Sequence, residues 1–171
     1  WGGGALVIRA AQFYQANCVG ITLSREQYEY ATARVRELGL QSRVEVRLQD
    51  YRDVRGRFDR ITSVGMFEHV GLANLGDYFR MVMQLLDADG MAMNHGITST
   101  DPNSASTPMG GGTFIDRYVF PHGELPHLSL AIQAMQEGGL EVIDVENLRR
   151  HYAQTLSEWA TRFESRGAMI R

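Results

Sequence analysis

The segment FDRITSVGMFEHVG, residues 58–71, sets the tightest limit on how this chain folds. Phe58 and the run Ile61 to Val64 mix β-branched and small side chains over the length of a strand, and Gly65 ends the run. This pattern predicts a largely buried strand that enters a loop. Ligands of open parallel α/β sheets bind outside the carboxyl ends of the strands, so Glu68 and His69 fall where such sheets carry their chemistry. The structural alternative is that Glu68 caps a helix beginning near Leu72, because acids are favoured at helix starts.

Composition favours one globular domain. The 171 residues are 44% hydrophobic and 22% charged, as in a chain with a substantial core. A formal net charge of −3 disfavours a nucleic-acid partner. One cysteine cannot form an internal disulfide, no apolar run is long enough to span a membrane, and no signal-like segment opens the chain. A cytoplasmic protein without a membrane span is therefore expected.

The amino-terminal half alternates helices with strands. WGGG at 1–4 predicts a glycine-rich turn entering a helix, and this is either a plain turn or a loop that brings the backbone close to a ligand. CVGITL at 18–23 predicts a short apolar strand. Ser24 and Gln27 form a capping-box pattern for a helix that ends before Gly39. A second strand, VEVRL, follows, and the order of elements predicts parallel pairing through crossover connections.

Polar residues follow two further strands at their carboxyl ends. Asp50 comes after VEVRL and either caps a turn or accepts a hydrogen bond from a ligand. A turn at 89–90 precedes the strand MAMNHGI, which contains His95 and Ile97. Sequential strands are often neighbours, so Glu68 and His95 would then face one small site. The alternative is that His95 is a hydrogen-bonded structural residue.

The carboxy-terminal part mixes helices with one long loop. Residues 72–86 carry a continuous apolar stripe, whose methionines we expect to fill the core. The Ser, Thr, Pro and Gly content of 98–113 predicts a flexible, lid-like loop. A helix near 127–137, the strand LEVIDVENL and a final helix from about His151 follow. Tyr152 either packs on the surface or points into the crevice.

Two classes of catalytic site find no support. The five histidines and one cysteine show no C-x-x-C or H-E-x-x-H spacing, which argues against a metal site. There is no G-x-S-x-G elbow, and Cys18, at the head of a predicted buried strand, is expected to be inert.

Six segments together resemble the cyclopropane-fatty-acyl-phospholipid synthase and mycolic acid cyclopropane synthase family. They are, in chain order, GITLSREQ, LQDYRD, FDRITSVGMFEHVG, the HGI of His95 to Ile97, RYVFPHGELP and YAQTL from Tyr152. The resemblance covers nearly the whole chain. It implies an α/β, Rossmann-like class I S-adenosylmethionine-dependent methyltransferase fold. It also implies that residues 1–171 form one partial methyltransferase domain, without the first strand, the first two glycines of the cofactor loop and the last strand.

The resemblance implies two sets of site residues and two small ligands. The set expected to bind S-adenosyl-L-methionine is Trp1, Gly2, Gly3, Thr22, Leu23, Gln27, Asp50 and Tyr51. The catalytic set, expected to hold a bicarbonate ion, is Glu68, His95, Ile97 through its backbone, and Tyr152. The family also uses a cysteine upstream of the glycine loop, and Cys18 is not its counterpart. Three aromatic residues are candidates either for apolar walls around a carbocation or for plain core: Phe67, Tyr118 and Phe120.

Three functions stay open. The first is methyl transfer to the double bond of an unsaturated phospholipid acyl chain at a membrane surface, closing a cyclopropane ring with bicarbonate as the base. The second is a related methyltransferase that yields methyl-branched acyl chains or methylates a small amine. The third is a non-catalytic fragment. A homodimer is compatible with the first two.

Overall fold

The computed structural model describes residues 2–101, 117 and 124–167. The chain divides into two compact units, Trp1–Glu141 and Val142–Arg171. The described helices and strands are α1 Ala5–Tyr14, β1 Cys18–Thr22, α2 Arg25–Glu37, β2 Val44–Leu48, β3 Phe58–Val64, α3 Leu75–Leu85, β4 Leu86–His95, α4 Leu128–Glu137 and α5 Arg149–Ser165. The prediction of a single partial domain stays a prediction.

Strands β1 and β2 form one parallel pair in the first unit. Cys18 lies opposite Val44 and Thr22 opposite Leu48, and α2 makes the connection between the two strands. Gly39 ends this helix with a φ of 67°, in the left-handed region that glycine adopts without steric cost. The predicted strands, helix and parallel pairing are confirmed. A small core forms here from Ile8, Ala11, Val35 and Val44.

Strands β3 and β4 form a second parallel pair, with a bulge where a turn was predicted. Phe58 pairs with Leu86 but Arg60 pairs with Met91. An advance of two residues along β3 therefore corresponds to an advance of five residues along β4. A Cβ on Gly90 would lie 2.9 Å from the carbonyl oxygen of Asp87, which explains why the bulge needs a glycine. The predicted turn at 89–90 therefore lies inside β4, and the strand begins earlier than MAMNHGI indicates.

Helices α3 and α4 cover the larger core of the first unit. This core consists of Phe67, Leu75, Tyr78, Phe79, Val82, Leu86, Ala131 and Ala134. The predicted apolar stripe of α3 is confirmed, and a short 3-10 helix at Leu72–Asn74 precedes it. Met83, however, is 44% exposed, so the expectation that the methionines fill the core is wrong for this residue.

Two further predictions from the sequence are wrong. No residue of β3 is fully buried, because β3 pairs on one side only among the described residues. The segment at 140–148, predicted as a strand, has no strand partner in the described chain and forms no ladder. An extended segment without such a partner leaves its N–H and C=O groups unpaired by other strands. Of the predicted loop 98–113, residues 102–113 lie outside the described residues.

The second unit contains the helix α5. All of its residues are exposed, and Tyr152, Leu156, Trp159 and Phe163 recur along one face at helical spacing. The rings of Tyr152 and Trp159 contact edge to face, with centroids 6.3 Å apart. Among the helices that the structure describes, none combines the length and apolar character needed to cross a bilayer.

Candidate active site

The side chain of Glu68 is buried although it carries a carboxyl group. It lies on a short 3-10 helix, Phe67–His69, just after β3, and is only 4% exposed. Its Oε1 accepts a hydrogen bond of 2.8 Å from the N–H of Ile97. Its Oε2 is buried and has no hydrogen-bond partner among the described residues. Buried carboxyl oxygens are normally paired, so this atom is available to a ligand.

The carboxyl ends of β3 and β4 lie side by side. Val64 pairs with His95, and the N–H of Gly65 donates to the carbonyl oxygen of His95 at 2.9 Å. The prediction that these strands are neighbours is confirmed. Glu68 and Ile97 meet at this edge, next to the exposed end residue His95. Their roles in binding and catalysis stay predictions.

Gly96 is a site residue that the sequence analysis missed. The ring of Phe67, which is 2% exposed, occupies the space where a side chain at position 96 would begin. A Cβ there would overlap that ring and lie 2.9 Å from Oε1 of Glu68. The glycine thus lets the ring and the carboxyl group approach the end of β4. The sequence offered one indication of this role, because Gly96 lies between two predicted site residues.

Tyr78 supports the site from within the core. Its ring is 2% exposed and contacts the rings of Tyr51 and Phe79 edge to face, with centroids 5.4 Å and 4.9 Å apart. Its hydroxyl donates to Oδ1 of Asn94 at 3.3 Å, beside His95 on β4. Burial raises the pKa of Tyr78 to about 12, so the hydroxyl stays protonated at neutral pH. The apolar stripe of α3 identified this residue only as core.

The glycine turn before α1 has the backbone shape expected of a ligand loop. Gly3 and Gly4 have φ angles of 77° and 84°, and no side chain caps the first turn of α1. A Cβ on Gly3 would come within 3.0 Å of the Tyr30 ring. The turn therefore requires glycine and leaves backbone N–H groups at the start of α1 without a side-chain cap. Trp1 lies outside the described residues.

The predicted capping box at the start of α2 is only half formed. Ser24 Oγ accepts from the N–H of Gln27 at 3.2 Å, as predicted. The second bond of the box, from the N–H of Ser24 to the Gln27 amide, is not formed. Instead, the N–H of Ser24 donates to Thr22 Oγ1 at 3.1 Å, and Thr22 Oγ1 donates to Gln27 Oε1 at 2.9 Å. The bond from Thr22 orients the amide of Gln27 and leaves its NH2 group as a donor. Leu23 is 74% exposed beside this group.

Asp50 caps a turn, one of the two roles predicted for it. It precedes the 3-10 helix Tyr51–Asp53, and its two carboxyl oxygens accept from the guanidinium of Arg52 at 2.9 Å and 2.7 Å. Hydrogen bonding from Arg52 lowers the pKa of Asp50, while burial raises the pKa of Tyr51. A ligand would have to compete with Arg52 for this carboxylate, and the cofactor roles of Asp50 and Tyr51 stay predictions.

Three other predicted residues lie in the second unit or outside the described residues. Tyr152 lies on α5 of the second unit and is 51% exposed, so its membership of the catalytic set stays a prediction. Tyr118 and Phe120 lie outside the described residues. In the part of the chain that the structure describes, no three histidine, cysteine or carboxylate side chains come together as metal ligands would.

Comparison with known proteins gives this geometry a family. The family model described as mycolic acid cyclopropane synthetase matches residues 1–171. A probable fatty acid methyltransferase of Pseudomonas putida is 50% identical over 167 residues, which cover 96% of this chain and 42% of that protein. The cyclopropane-fatty-acyl-phospholipid synthase of Escherichia coli is 38% identical over 163 residues, covering 95% of this chain and 40% of that protein.

A solved structure agrees with the sequence relatives. A mycolic acid cyclopropane synthase complexed with SAH and CTAB superposes with a TM-score of 0.87 at 31% identity, covering 98% of this chain and 62% of that one. The fold is accordingly the Rossmann-like class I methyltransferase fold that the sequence predicted. The chain spans 42% and 40% of the lengths of the two sequence relatives named above. The family match over all 171 residues shows that this chain belongs to the mycolic acid cyclopropane synthetase family.

Proposed function

We propose that the protein transfers a methyl group from S-adenosylmethionine to the double bond of an unsaturated fatty acyl chain and closes a cyclopropane ring. The observation that carries this proposal is the buried Glu68 carboxyl group, which has one oxygen fixed by the N–H of Ile97 and the other without a described partner. Methyl transfer to nitrogen needs no bicarbonate site, whereas ring closure requires a proton acceptor in a dry pocket.

The described residues fit a bound bicarbonate. S-adenosylmethionine supplies an electrophilic methyl group, and bicarbonate supplies a weak base, when the two are bound. Glu68 holds the base through a proton shared with Oε2, the atom that the fold leaves unpaired. His95, at the adjoining strand end, donates a hydrogen bond to it. Phe67 excludes water from one side of Glu68.

The cofactor site uses the first sheet of the same unit. The turn at Gly3 lets the backbone approach a ligand, and the start of α1 directs N–H groups outward. Gln27, oriented by Thr22, donates from its NH2 group to a ribose hydroxyl or carboxylate oxygen. Tyr51 packs beside the adenine. Binding of this cofactor is supported by a relative of 31% identity whose structure holds SAH.

The substrate we propose is a phospholipid acyl chain reached at a membrane surface, with the enzyme as a peripheral cytoplasmic protein. A homodimer is compatible with this role. The relative from Escherichia coli is named a cyclopropane-fatty-acyl-phospholipid synthase, and another relative was solved with CTAB, a lipid-like ligand. Both support an apolar chain as the methyl acceptor. Surface contact of this kind needs an interface and no membrane span.

A second candidate product is a methyl-branched acyl chain. The 50% identical relative is named a probable fatty acid methyltransferase, and that name does not specify ring closure. Both reactions begin with methyl addition, which leaves a cation on the acyl chain. They differ in the fate of that cation, because loss of a proton from the new methyl group closes the ring, whereas loss of a proton from a neighbouring chain carbon leaves a methyl-branched alkene. The carbon that faces the base held by Glu68 would therefore determine which product forms.

The test is to count deuterium in the product. The complete natural protein is incubated with monounsaturated phospholipid vesicles and trideuteromethyl-labelled S-adenosylmethionine, and the lipids are analysed by mass spectrometry. We expect two deuterium atoms per added carbon, because ring closure removes one. Retention of all three would establish the branched product, and label in added small amines without label in lipid would overturn the proposal.

A further inference from the structure

Both ends of the long connection between β4 and α4 contact Glu68. On the first side, the N–H of Ile97 donates to its Oε1 at 2.8 Å. On the second side, the N–H of Glu124 donates to its backbone oxygen at 3.0 Å. The two sides are also joined to each other, because the N–H of Ser99 donates to the carbonyl oxygen of Pro126 at 2.9 Å. The carboxyl group therefore sits on a loop that is held from two directions.

Glu124 makes a second contact with the same loop. Its Oε2 accepts a hydrogen bond of 2.7 Å from the N–H of Leu72, four residues beyond Glu68. The backbone of Glu124 thus holds one end of the segment 68–72, and its side chain holds the other. Gly71 lies between these points with a φ of 86°, and a Cβ there would lie 3.3 Å from Oε2 of Glu124. The glycine leaves room for the carboxylate.

We propose that Glu124 is a positioning residue for the Glu68 carboxyl group, an inference that rests on the proposed function. When a loop residue must hold one unpaired oxygen toward a ligand, greater mobility of its segment lowers the reaction rate, because small misplacements at a reacting group reduce that rate. A carboxylate that accepts from a backbone N–H makes a short and strong hydrogen bond. The Glu124 carboxylate also lies at the start of the 3-10 helix that leads into α3, where negative charge is favourable.

The test compares Glu124→Ala with Glu124→Gln in the complete natural protein, using turnover of phospholipid vesicles. Alanine removes the acceptor for the Leu72 N–H and keeps the backbone bond to Glu68, so we expect kcat to fall about 5- to 10-fold, below the roughly 100-fold that a 1 Å misplacement at a reacting group can cost. The KM for S-adenosylmethionine should not change. Glutamine keeps an oxygen acceptor and should restore most of the rate.

The matched control is Glu137→Ala. Glu137 is exposed, lies at the far end of α4, and accepts from the side chain of Gln133 at 2.7 Å, with no contact to the loop of Glu68. The substitution removes the same charge, and kcat should not change. Melting temperatures of all variants separate a loss of rate from a loss of folding.

A double-variant comparison then shows whether Glu124 acts through Glu68. In a Glu68→Gln background, Glu124→Ala should reduce kcat by less than about 2-fold, because coupled residues are not additive. An equal loss in both backgrounds, or a change in KM alone, would overturn the positioning role. Full activity of Glu68→Gln by itself would instead overturn the proposed function, whatever the result for Glu124.

Discussion

The two sheets of the first unit treat their polar site groups in opposite ways. Beside β1 and β2, Thr22 bonds Gln27 and Asp50 bonds Arg52, so these groups already have partners. Beside β3 and β4, Glu68 keeps one buried oxygen without a described partner. Hydrogen-bonded pairs near the surface contribute little to the free energy of unfolding and are easily replaced by bonds to water. An unpaired buried polar atom lowers that free energy until a ligand pairs with it. We therefore expect a bound ligand to stabilise the site beside β3 and β4 strongly.

The largest effect should come from Glu68→Gln. The amide can still accept from the N–H of Ile97 but cannot share a proton with a bound base, so we expect kcat to fall about 100-fold or more, the scale of general acid–base catalysis. Removing a buried, incompletely paired carboxyl group should leave the melting temperature equal or higher. Lipid turnover and thermal denaturation measure the two quantities. A large fall in melting temperature would show instead that Glu68 is structural.

The next effect should come from Gly96→Ala. The new methyl group would overlap the Phe67 ring, and overpacking of this kind costs about 1–3 kcal/mol of unfolding free energy. Activity should fall as well, because Oε1 of Glu68 lies on the same side. Gly76→Ala is the matched control, since that position lies in α3 with open space around it and alanine favours helix. Equal stability of the two variants in urea denaturation would contradict the packing argument.

Tyr78 should give a smaller effect that depends on pH. Its pKa is about 12 in the folded protein and about 10 in an unfolded chain, so the folded state binds its proton more tightly. The stabilisation is fully present below pH 10 and is lost as pH rises toward 12, amounting to roughly 3 kcal/mol over that window. Tyr78→Phe should remove this slope from urea denaturation curves and retain the edge-to-face ring contacts. An unchanged slope would contradict the burial of the hydroxyl.

The smallest effect should come from Arg52→Ala. The bond to Arg52 lowers the pKa of Asp50, so the pair stabilises the fold above pH 4 and the contribution is lost as pH falls below that value. Because the Arg52 side chain is 71% exposed, water screens the pair, and we expect a smaller loss of stability at pH 7 than Gly96→Ala gives. Urea denaturation at pH 7 and pH 3 gives the difference. A cost as large as that of Gly96→Ala would remove the contrast between the two sheets.

Local patterns in the sequence were sufficient for most elements of the fold. The strand VEVRL, the helix after Ser24 and the apolar stripe of α3 formed as predicted, because each depends on periodicity and nearby end signals. The strand predicted at 140–148 did not form, since strand formation depends on a partner that no local pattern supplies. The partial burial of β3 differs from prediction for the same reason.

The sequence by itself determined the family and the carboxyl group on which the site depends. The motif FEHVG places Glu68 after a strand, and a linear pattern is enough for that because the two are adjacent in the chain. Only the tertiary structure decided what this group contacts. The bond from Ile97 joins residues 29 apart, and the bond from Leu72 to Glu124 joins residues 52 apart. Such contacts arise when distant segments pack together, and their geometry sets which oxygen of Glu68 is paired and which is left for a ligand.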